Sequence, residues 1–445
     1  MQRVRSVLGN EDGATLGVVM ILAIVMLISI MTLFEMGSQD ASLAVRDGRV
    51  AQAFFLAESG AERARAWLGA QTSIPTGEFY PFGGGADTLD PGTYMVTVDS
   101  DHSGVRPIYT IHSTGSVGKH SRSIEIDVMQ SSVTDYLYFT NRDVGPIGTP
   151  WFRTGDVIDG PIHTNGQLAI WGDPVFTDDV QCSETTIVYN NDGDFLETSA
   201  SSNPPHDEPD FQGDLRLGAA EIEWFDQGAV TTLKDLAGLT LNGGHEVMFG
   251  RDDGSGPMLG YLSYRKNKDW TDVEISSFNG IVYVNGDCML SGTLDGQVTI
   301  VSNGSIEIID DIIYADSDEN GPCEGCDDVL GMVAGSKVEV ADTEANCDDC
   351  VIHSHLIAVN NQSCLVAQYA QGDPRGTLTV YGGLGQDKWG PVGTGVWVDG
   401  EFIVLTGYER DFHYDWRLRD ILPPGYEHIV FETSGYVRIA WRDVS

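Results

Sequence analysis

Residues 14–34, ATLGVVMILAIVMLISIMTLF, contain no charged side chain. In an α-helix, at about 1.5 Å per residue, this stretch spans roughly 31 Å, the thickness of the apolar core of a bilayer. Arg3 and Arg5 precede it, and Glu35 and Asp40 follow it. Because positive charge favours the cytoplasmic side of a membrane, the stretch predicts a single-pass anchor with the remainder of the chain outside.

A cleaved secretory signal is the alternative interpretation of the same stretch. The apolar region of such a signal is usually about 7–15 residues long. Residues 14–34 form a longer run, and no clear A-x-A cleavage site follows them. Both observations favour an anchor that stays attached to the mature chain.

Apolar residues continue at helical spacing beyond this stretch. Those that share one face are Leu43, Val50, Phe54, Ala57, Ala61, Ala64 and Leu68. Charged residues occupy the other faces, as in an amphipathic helix that packs on a globular body. The sequence therefore predicts one long helix over residues 14–70, apolar in its first half and amphipathic in its second.

The charge of the chain is strongly negative. Its 445 residues include 25 Lys and Arg and 66 Asp and Glu, for a net charge of −41, and nearly all of the excess lies after residue 70. Such a field repels phosphates and attracts cations, and no basic patch with interleaved aromatics occurs, so nucleic-acid binding is excluded. The length predicts two or three domains.

Residues 71–130 contain three segments in which apolar and polar residues alternate, as in half-buried strands. They are Gly92–Val98, Pro107–His112 and Ser123–Val128. The connections Asp99–Arg106 and Ser113–Arg122 contain glycine and are expected to be loops. The segments predict a small antiparallel sheet that packs on the long helix.

Residues 131–445 contain many short runs of Val, Ile and Tyr, separated by turn signals such as Asn-Gly and Asp-Gly. Two of the runs begin at Ile281 and Val298, 17 residues apart. Repeated strands with single tight turns predict a β-solenoid (β-helix), and a β-sandwich is the alternative. The polar, proline-containing region near 184–275 interrupts the pattern and is expected to be an insertion. The predicted fold is therefore mainly β behind a long N-terminal helix.

The N-terminal 70 residues combine a short leader ending at Gly13, an apolar stretch beginning at Ala14, and the segment AQAFFLAESGAERARAWL (51–68). This combination resembles PilX-type minor pilins and related pseudopilins, whose Ala-Phe-x-x-Ala-Glu-x-Gly pattern matches residues 53–60. The resemblance implies that a prepilin peptidase removes the leader, residues 1–13, by cutting between Gly13 and Ala14. Ala14 and Val18 stand where major pilins carry Phe and Glu, which implies a minor or membrane-resident subunit.

The same resemblance implies a single-pass protein of the bacterial inner membrane, with its ectodomain in the periplasm or at the cell surface. Its role would be structural, as a minor-pilin-type component or adhesin of a type IV pilus or a type II secretion-like system. The implied partners are the inner membrane, other pilins or pseudopilins, and the pilus assembly machinery. Two alternatives stay open: a module that binds surface glycans or cations, and a polysaccharide-active β-helix enzyme.

Four further segments resemble an uncharacterised bacterial domain family that follows pilin-like leaders in cell-surface proteins. They are GPIHTNGQLAIWGDPVF (160–176), NGIVYVNGDCMLSGTLDGQVTIVSNGSIEIIDDIIY (279–314), DDVLGMVA (327–334) and HYDWRLRDILPPGY (413–426). This second resemblance covers most of residues 135–430. It supports the β-solenoid prediction and implies no activity.

Four cysteines form two Cys-x-x-Cys pairs, Cys323 with Cys326 and Cys347 with Cys350, with 20 residues between the pairs. This spacing suits structural zinc, but outside the membrane disulfides compete with metal, and free thiols are a third possibility. The acidic residues beside the sulfurs raise the pKa of the thiols, which argues against redox catalysis.

The first cysteine pair overlaps a calcium-loop pattern. The candidate ligands are Asp316, Asp318, Asn320, Glu324 and Asp327, and they follow the spacing D-x-[DN]-x-[DN]-G with two later carboxylates. Asp327 replaces the usual Glu, and no helices flank the segment. Calcium is therefore a candidate cofactor, zinc a less favoured one, and a solvated acidic turn is the alternative to both.

The sequence predicts that the protein is not an enzyme. No G-x-S-x-G, H-E-x-x-H, Walker or Rossmann pattern occurs. Three acidic doublets, Asp310-Asp311, Asp327-Asp328 and Asp348-Asp349, could serve acid–base chemistry, but such doublets are expected by chance in so acidic a chain. His163, His353 and His355 are expected to be packing residues.

Each alternative function predicts a distinct geometry. A β-helix enzyme needs a cleft in which two carboxylates lie within about 5–10 Å of each other. A glycan-binding module needs aromatic side chains that share an exposed face. The candidates for that face are Trp151, Trp171, Trp389, Trp397 and Tyr261.

Overall fold

The computed structural model describes residues 11–71, 74–104, 106–142, 151–199, 206–222, 224, 227–318, 320–323, 325–359, 363–364, 366–367, 374–398, 401–429 and 436–444. Most of the predicted leader and the candidate ligand Glu324 lie outside these residues. The described chain is mainly β, with a long N-terminal helix, and it divides into two compact units.

The helices are α1 (Glu11–Gly69) and α2 (Gln227–Leu236), and short 3-10 helices cover Val133–Asp135, Asn191–Gly193, Ile275–Ser277, Ala345–Cys347, Trp416–Arg419 and Tyr426–His428. The first strands are β1 (Asp87–Leu89), β2 (Gly92–Asp101), β3 (Ile108–Val117), β4 (His120–Gln130), β5 (Tyr138–Arg142), β6 (Phe152–Arg153), β7 (Val157–Asp159), β8 (Ile162–Thr164), β9 (Ala169–Trp171), β10 (Val175–Phe176), β11 (Val180–Cys182), β12 (Ile187–Tyr189), β13 (Leu196–Thr198), β14 (Asp210–Phe211), β15 (Leu215–Leu217), β16 (Leu239–Asn242) and β17 (His245–Phe249).

The remaining strands are β18 (Tyr261–Arg265), β19 (Thr271–Glu274), β20 (Ile281–Asn285), β21 (Cys288–Leu294), β22 (Gln297–Ser302), β23 (Ile306–Tyr314), β24 (Ser317–Asp318), β25 (Gly321–Pro322), β26 (Val329–Ala334), β27 (Val338–Val340), β28 (Cys350–Ala358), β29 (Val366–Ala367), β30 (Pro374–Lys388), β31 (Gly393–Val398), β32 (Glu401–Tyr414) and β33 (Tyr436–Asp443).

The first unit contains α1, β1 to β4 and β33. Its five strands are ordered β1-β2-β3-β4-β33, and the pairs β1–β2, β2–β3 and β3–β4 are antiparallel. The long helix and the antiparallel sheet expected from the sequence are therefore both present. The sequence analysis assigns residues 436–443 to the large domain of residues 131–445. In the structure these residues form β33, which pairs with β4 in the first unit.

One predicted loop is a pair of strands. Residues 113–117 extend β3, and β4 begins at His120, so the connection shrinks to a tight turn at Gly118, which has φ +61°. Ser113, Gly115 and Val117 alternate with outward residues and are buried. Small residues on the inner face lack the apolar signature of a strand, which is why the alternation was missed.

The second unit is built from short strands that pair in parallel across long sequence separations. Strand β20 pairs with β16 on one side and β22 on the other, and β26, β28, β30, β5, β8, β11 and β15 continue the ladder. The strands at Ile281 and Val298 are neighbours, as expected. In the structure Ile281 lies opposite Thr299, and not opposite Val298, where the second apolar run begins.

Mostly buried apolar side chains stack in register through this ladder. The stacked residues are Leu239, Val282, Ile300, Met332, Leu356, Leu384, Tyr138, Ile162, Val180 and Leu215. The opposite face of the ladder is also covered, by α2 and by the segment around Tyr426, in a second apolar cluster. Burial on both faces explains the near-continuous apolar runs of the sequence.

The segment 184–275 is only partly an insertion. Strands β14 and β15 pair with β10 and β11 in the ladder, and β16 and β17 pair with β20 and β21. Between β15 at one end of the described ladder and β16 at the other, the chain crosses over through α2, which packs in the second apolar cluster. Helix α2 shows no strand-like alternation, because it packs on the ladder and does not pair within it.

Candidate functional site

The second half of α1 packs on the sheet of the first unit through small residues. Ala53, Ala57, Ala61 and Ala64 are fully or almost fully buried. A Cβ atom added at Gly115 of β3 would overlap backbone atoms of the helix. A Cβ at Gly60 would meet the Ser113 hydroxyl at 2.5 Å, so close packing explains both the Ala and the Gly positions of the pilin-like pattern.

Charged residues of the same half fix the edges of this packing. Arg63 bonds to Tyr94 and pairs with Asp87 at 3.0 Å, and these interactions raise its pKa, with the Tyr94 hydrogen bond the largest cause. Arg65 donates to the backbone oxygen of Tyr436 at 2.7 Å and so holds the start of β33. The amphipathic half of α1 is therefore a packing element of the first unit.

The first half of α1 is exposed over its whole surface. Side chains from Leu16 to Met36 are exposed, including Met26 at 69% and Phe34 at 78%. Among the described helices, α1 is long and apolar enough to cross a membrane by length and composition, a criterion that a signal sequence also meets. Gly13 and Ala14, the predicted processing site, have helical backbone near its start.

The cysteines of the two Cys-x-x-Cys pairs are all free thiols in the structure. In each pair one sulfur is exposed, at Cys323 and Cys347, and the other is buried, at Cys326 and Cys350. Burial raises the pKa of the Cys350 thiol. The sulfur of Cys326 accepts a hydrogen bond from Arg417 at 2.6 Å.

Within the calcium-loop segment, the short strands β24 and β25 pair antiparallel. Asp318 accepts from the backbone amide of Asn320 at 2.7 Å, so it stabilises the turn. Asp316 donates its amide to Asp328 at 3.1 Å, whereas Asp327 is exposed. Among the residues that the structure describes, no three His, Cys, Asp or Glu side chains are grouped to hold a metal ion. Calcium and zinc stay predictions for this region.

The acidic doublets have a structural role that the sequence did not reveal. The second member of each doublet binds a backbone amide in a neighbouring part of the unit: Asp311 binds Val351 at 2.8 Å, Asp328 binds Gly296 at 2.6 Å, and Asp349 binds Thr377 at 2.7 Å. No local pattern identifies these acceptors, since their partners lie 28 to 40 residues away.

The three histidines are buried among aromatic rings. His163 stacks on Phe139 with 5.4 Å between ring centroids. His353 accepts from the amide of Tyr314 at 3.1 Å through Nδ1, and burial lowers its pKa to about 4. Burial also lowers the pKa of His355 to about 3. These are the contacts of neutral packing residues.

One open groove in the second unit has a volume of about 550 Å³. Three carboxylates lie along it, and the lining includes Glu274, Asp295, Asp327, Phe278, Asn279 and Pro424. The side chain of Asn279 is engaged with the backbone of Leu236, at 2.8 Å. In this groove Asp327, a candidate calcium ligand, shares the lining with Glu274 and Asp295, which lie far from it in the sequence.

The five aromatic candidates divide into separate places. Trp151 and Trp171 meet edge to face with 6.2 Å between ring centroids. Trp389 packs against the main core, Tyr261 is partly buried in β18, and the side chain of Trp397 lies outside the described residues.

A sixth ring completes the pair of tryptophans. Phe195 stacks on Trp151 at 5.8 Å, with 16° between the ring planes. Sequence reasoning missed Phe195, because it lies among polar residues, in the segment NNDGDFLETS (190–199), with no strand or helix periodicity. The contact arises only from the fold.

Comparison with known proteins gives limited matches. Residues 105–184 match the model of a domain of unknown function (DUF4900), which is less than half of the chain. No curated protein matches the sequence. Among solved structures, the competence-associated pilin ComZ from Thermus thermophilus aligns with a TM-score of 0.37 and 10% sequence identity, over 89% of this chain and 97% of that chain. At this TM-score the alignment carries no argument about function.

Proposed function

We propose that the protein is a membrane-anchored, pilin-like surface protein with a structural role. The observation that carries the proposal is the division of α1. One helix of 59 residues has an apolar first half with no buried surface and a second half that packs tightly on a sheet. In water the exposed half would leave many apolar side chains solvated, whereas a bilayer or a bundle of similar helices would cover them.

The charges around the apolar half support an orientation. Arg3 and Arg5 precede it, and the acidic units follow it, so the positive-inside rule puts the ectodomain in the periplasm or at the cell surface. The PilX-like pattern supports cleavage by a prepilin peptidase between Gly13 and Ala14. The role we propose is that of a minor-pilin-type component or adhesin of a type IV pilus or a type II secretion-like system, with other pilins as partners.

We further infer that the second unit is a β-solenoid. Its ladder is parallel and stacks ten residues in register, from Leu239 to Leu215. A β-sandwich consists of antiparallel sheets, so the parallel pairing favours the solenoid. A stack of this kind gives a stiff body for display at a surface.

A non-catalytic role is supported by the hydrogen bonds of one carboxylate in each acidic doublet and of His353. Asp311, Asp328 and Asp349 bind backbone amides, and His353 is a buried acceptor for a backbone amide. Groups engaged in this way hold the fold and have little freedom to transfer protons.

The proposal is tested by expressing the full chain in a bacterium with and without a prepilin peptidase. We expect the protein to stay in the membrane pellet after a carbonate wash, and its mass to fall by residues 1–13 only when the peptidase is present. The variant Gly13→Val should keep the leader and remain in the membrane. A chain that is freely soluble with residues 14–34 intact would refute the anchor, and a mature N-terminus beyond residue 35 would identify a secretory signal.

A further inference from the structure

Three aromatic rings from distant parts of the chain meet beside the four-stranded sheet β13-β12-β9-β6. Trp151 precedes β6, Trp171 ends β9, and Phe195 precedes β13. Trp151 contacts both of the other rings, edge to face with Trp171 and stacked with Phe195. The three rings form a continuous group, called here the aromatic platform.

The platform is open to solvent. Phe195 is 67% exposed, and its neighbour Leu196 is 40% exposed. Trp151 and Trp171 are partly exposed. Large aromatic side chains usually gain their stabilisation from burial, and a single exposed ring needs no explanation. Three rings joined through Trp151 at the surface form an apolar patch of the kind that marks a binding site.

Hydrogen bonds hold the segments that carry the rings. The buried carboxylate of Asp207 accepts from the amide of Gly172 at 2.5 Å and from that of Asn191 at 2.6 Å, so it ties the turn after Trp171 to the segment before Phe195. The backbone of Thr154 donates to Trp171 at 3.0 Å, which fixes the segment after Trp151. Backbone segments held in one arrangement lower the ordering cost of binding a ligand.

The chemistry of the platform fits a sugar. Sugar rings present apolar C–H faces that stack on aromatic rings, and their hydroxyl groups donate to carboxylates. Asp192 and Asp194 are both exposed and lie within three residues of Phe195 in the chain, so carboxylate acceptors are present in the same segment. The net charge of −41 repels anionic polysaccharides. We propose that the aromatic platform of Trp151, Trp171 and Phe195 binds a neutral or amino-sugar glycan.

The test uses the full chain in detergent and four oligosaccharide probes: hexamers of glucose, N-acetylglucosamine and glucosamine, and an anionic hexamer of galacturonate. Binding is followed by tryptophan fluorescence and by calorimetry. We expect saturable binding of at least one of the first three probes. Phe195→Ala should weaken it by about tenfold or more, because truncation removes one ring of the platform.

Phe55→Ala is the matched control, since Phe55 is 62% exposed but lies on α1, away from the platform residues in sequence and fold unit. It should leave the affinity unchanged, and circular dichroism should show that both variants fold. The proposal is overturned if none of the three probes binds, if galacturonate binds best, or if Phe195→Ala binds as tightly as the unmodified chain. None of these outcomes bears on the membrane anchor, because the platform and α1 belong to different units.

Discussion

The carboxylate of Asp328 accepts a hydrogen bond from the backbone amide of Gly296 at 2.6 Å, although 32 residues separate the two along the chain. The same side chain accepts from the amide of Asp316 at 3.1 Å. A buried acidic residue thus satisfies two backbone donors that lie outside the ladder pairing. Acidic residues of the second unit such as Asp328 therefore stabilise the fold as hydrogen-bond acceptors, in addition to those that only carry surface charge.

The doublet Asp327-Asp328 gives a direct test of this role. Asp328→Ala should lower the free energy of unfolding by about 2 kcal/mol, because it leaves two backbone amides without their acceptor. Asp327→Ala, at the exposed neighbour, should change it by no more than about 0.5 kcal/mol. Urea unfolding followed by circular dichroism measures both, and equal losses at the two positions would contradict the structural role.

The close approach of α1 to the sheet predicts a strong effect of size at Gly115. Gly115→Val should destabilise the protein by about 3 kcal/mol, since the added atoms overlap the helix backbone. Gly48→Ala is the control, because a Cβ there meets nothing within 4 Å and alanine favours the helix. Thermal unfolding should separate the two variants, and a Gly115→Val protein with an unchanged melting temperature would disprove the packing.

The pKa of His353 predicts a dependence of stability on pH. It is about 4 in the folded chain and near its ordinary value of about 6.5 when unfolded, so the unfolded chain binds the proton more tightly. The contribution is complete above about pH 6.5 and is lost as the pH falls towards 4. At pH 5.5 we expect a loss of roughly 1 kcal/mol from this group.

His353→Asn isolates this contribution from the other titrating groups. Asn can still accept from the amide of Tyr314 but does not titrate. The free energy of unfolding should therefore fall less in the variant than in the unmodified chain between pH 7.5 and pH 5.5. Parallel pH profiles for the two proteins would show that His353 does not titrate as its burial implies.

A buried ion pair in the second unit predicts the largest single loss. Arg106 is 3% exposed and donates to Asp135 at 2.5 Å and to the backbone oxygen of Leu418 at 3.0 Å. Arg106→Met leaves the Asp135 carboxylate without its cationic partner, at a cost of about 3–5 kcal/mol. Arg442→Met, which breaks exposed pairs with Glu125 and Asp127, should cost far less, because solvent screens charges at the surface. Calorimetric melting compares the two, and similar losses would contradict the contrast.

The sequence predicted the elements whose signal is local. The apolar run and the helical spacing identified α1, and alternation identified most of β2, the first half of β3 and the centre of β4. The runs at Ile281 and Val298 identified parallel neighbours, because burial on both faces leaves an unbroken apolar pattern. These features depend on residues that lie close together in the chain.

The missed features depend on distant residues. Nothing near Phe195 signals that it stacks on Trp151, and nothing near Asp328 signals that Gly296 needs an acceptor. Tyr426 donates to the backbone oxygen of His355 at 3.0 Å and covers the outer face of the ladder, a contact across 71 positions. Local sequence patterns carry no information about partners that lie so far apart in the chain.

The pairing of β33 with β4 has a consequence for the order of folding. The sheet under α1 is made from residues 87–130 and from 436–443, with nearly all of the second unit encoded between β4 and β33. During synthesis on the ribosome, β4 must wait with an open edge until more than 300 further residues have been added. The helix emerges first, but the sheet on which it packs is completed last. A prematurely terminated chain would therefore contain the apolar segment of α1 and lack β33 at the edge of that sheet.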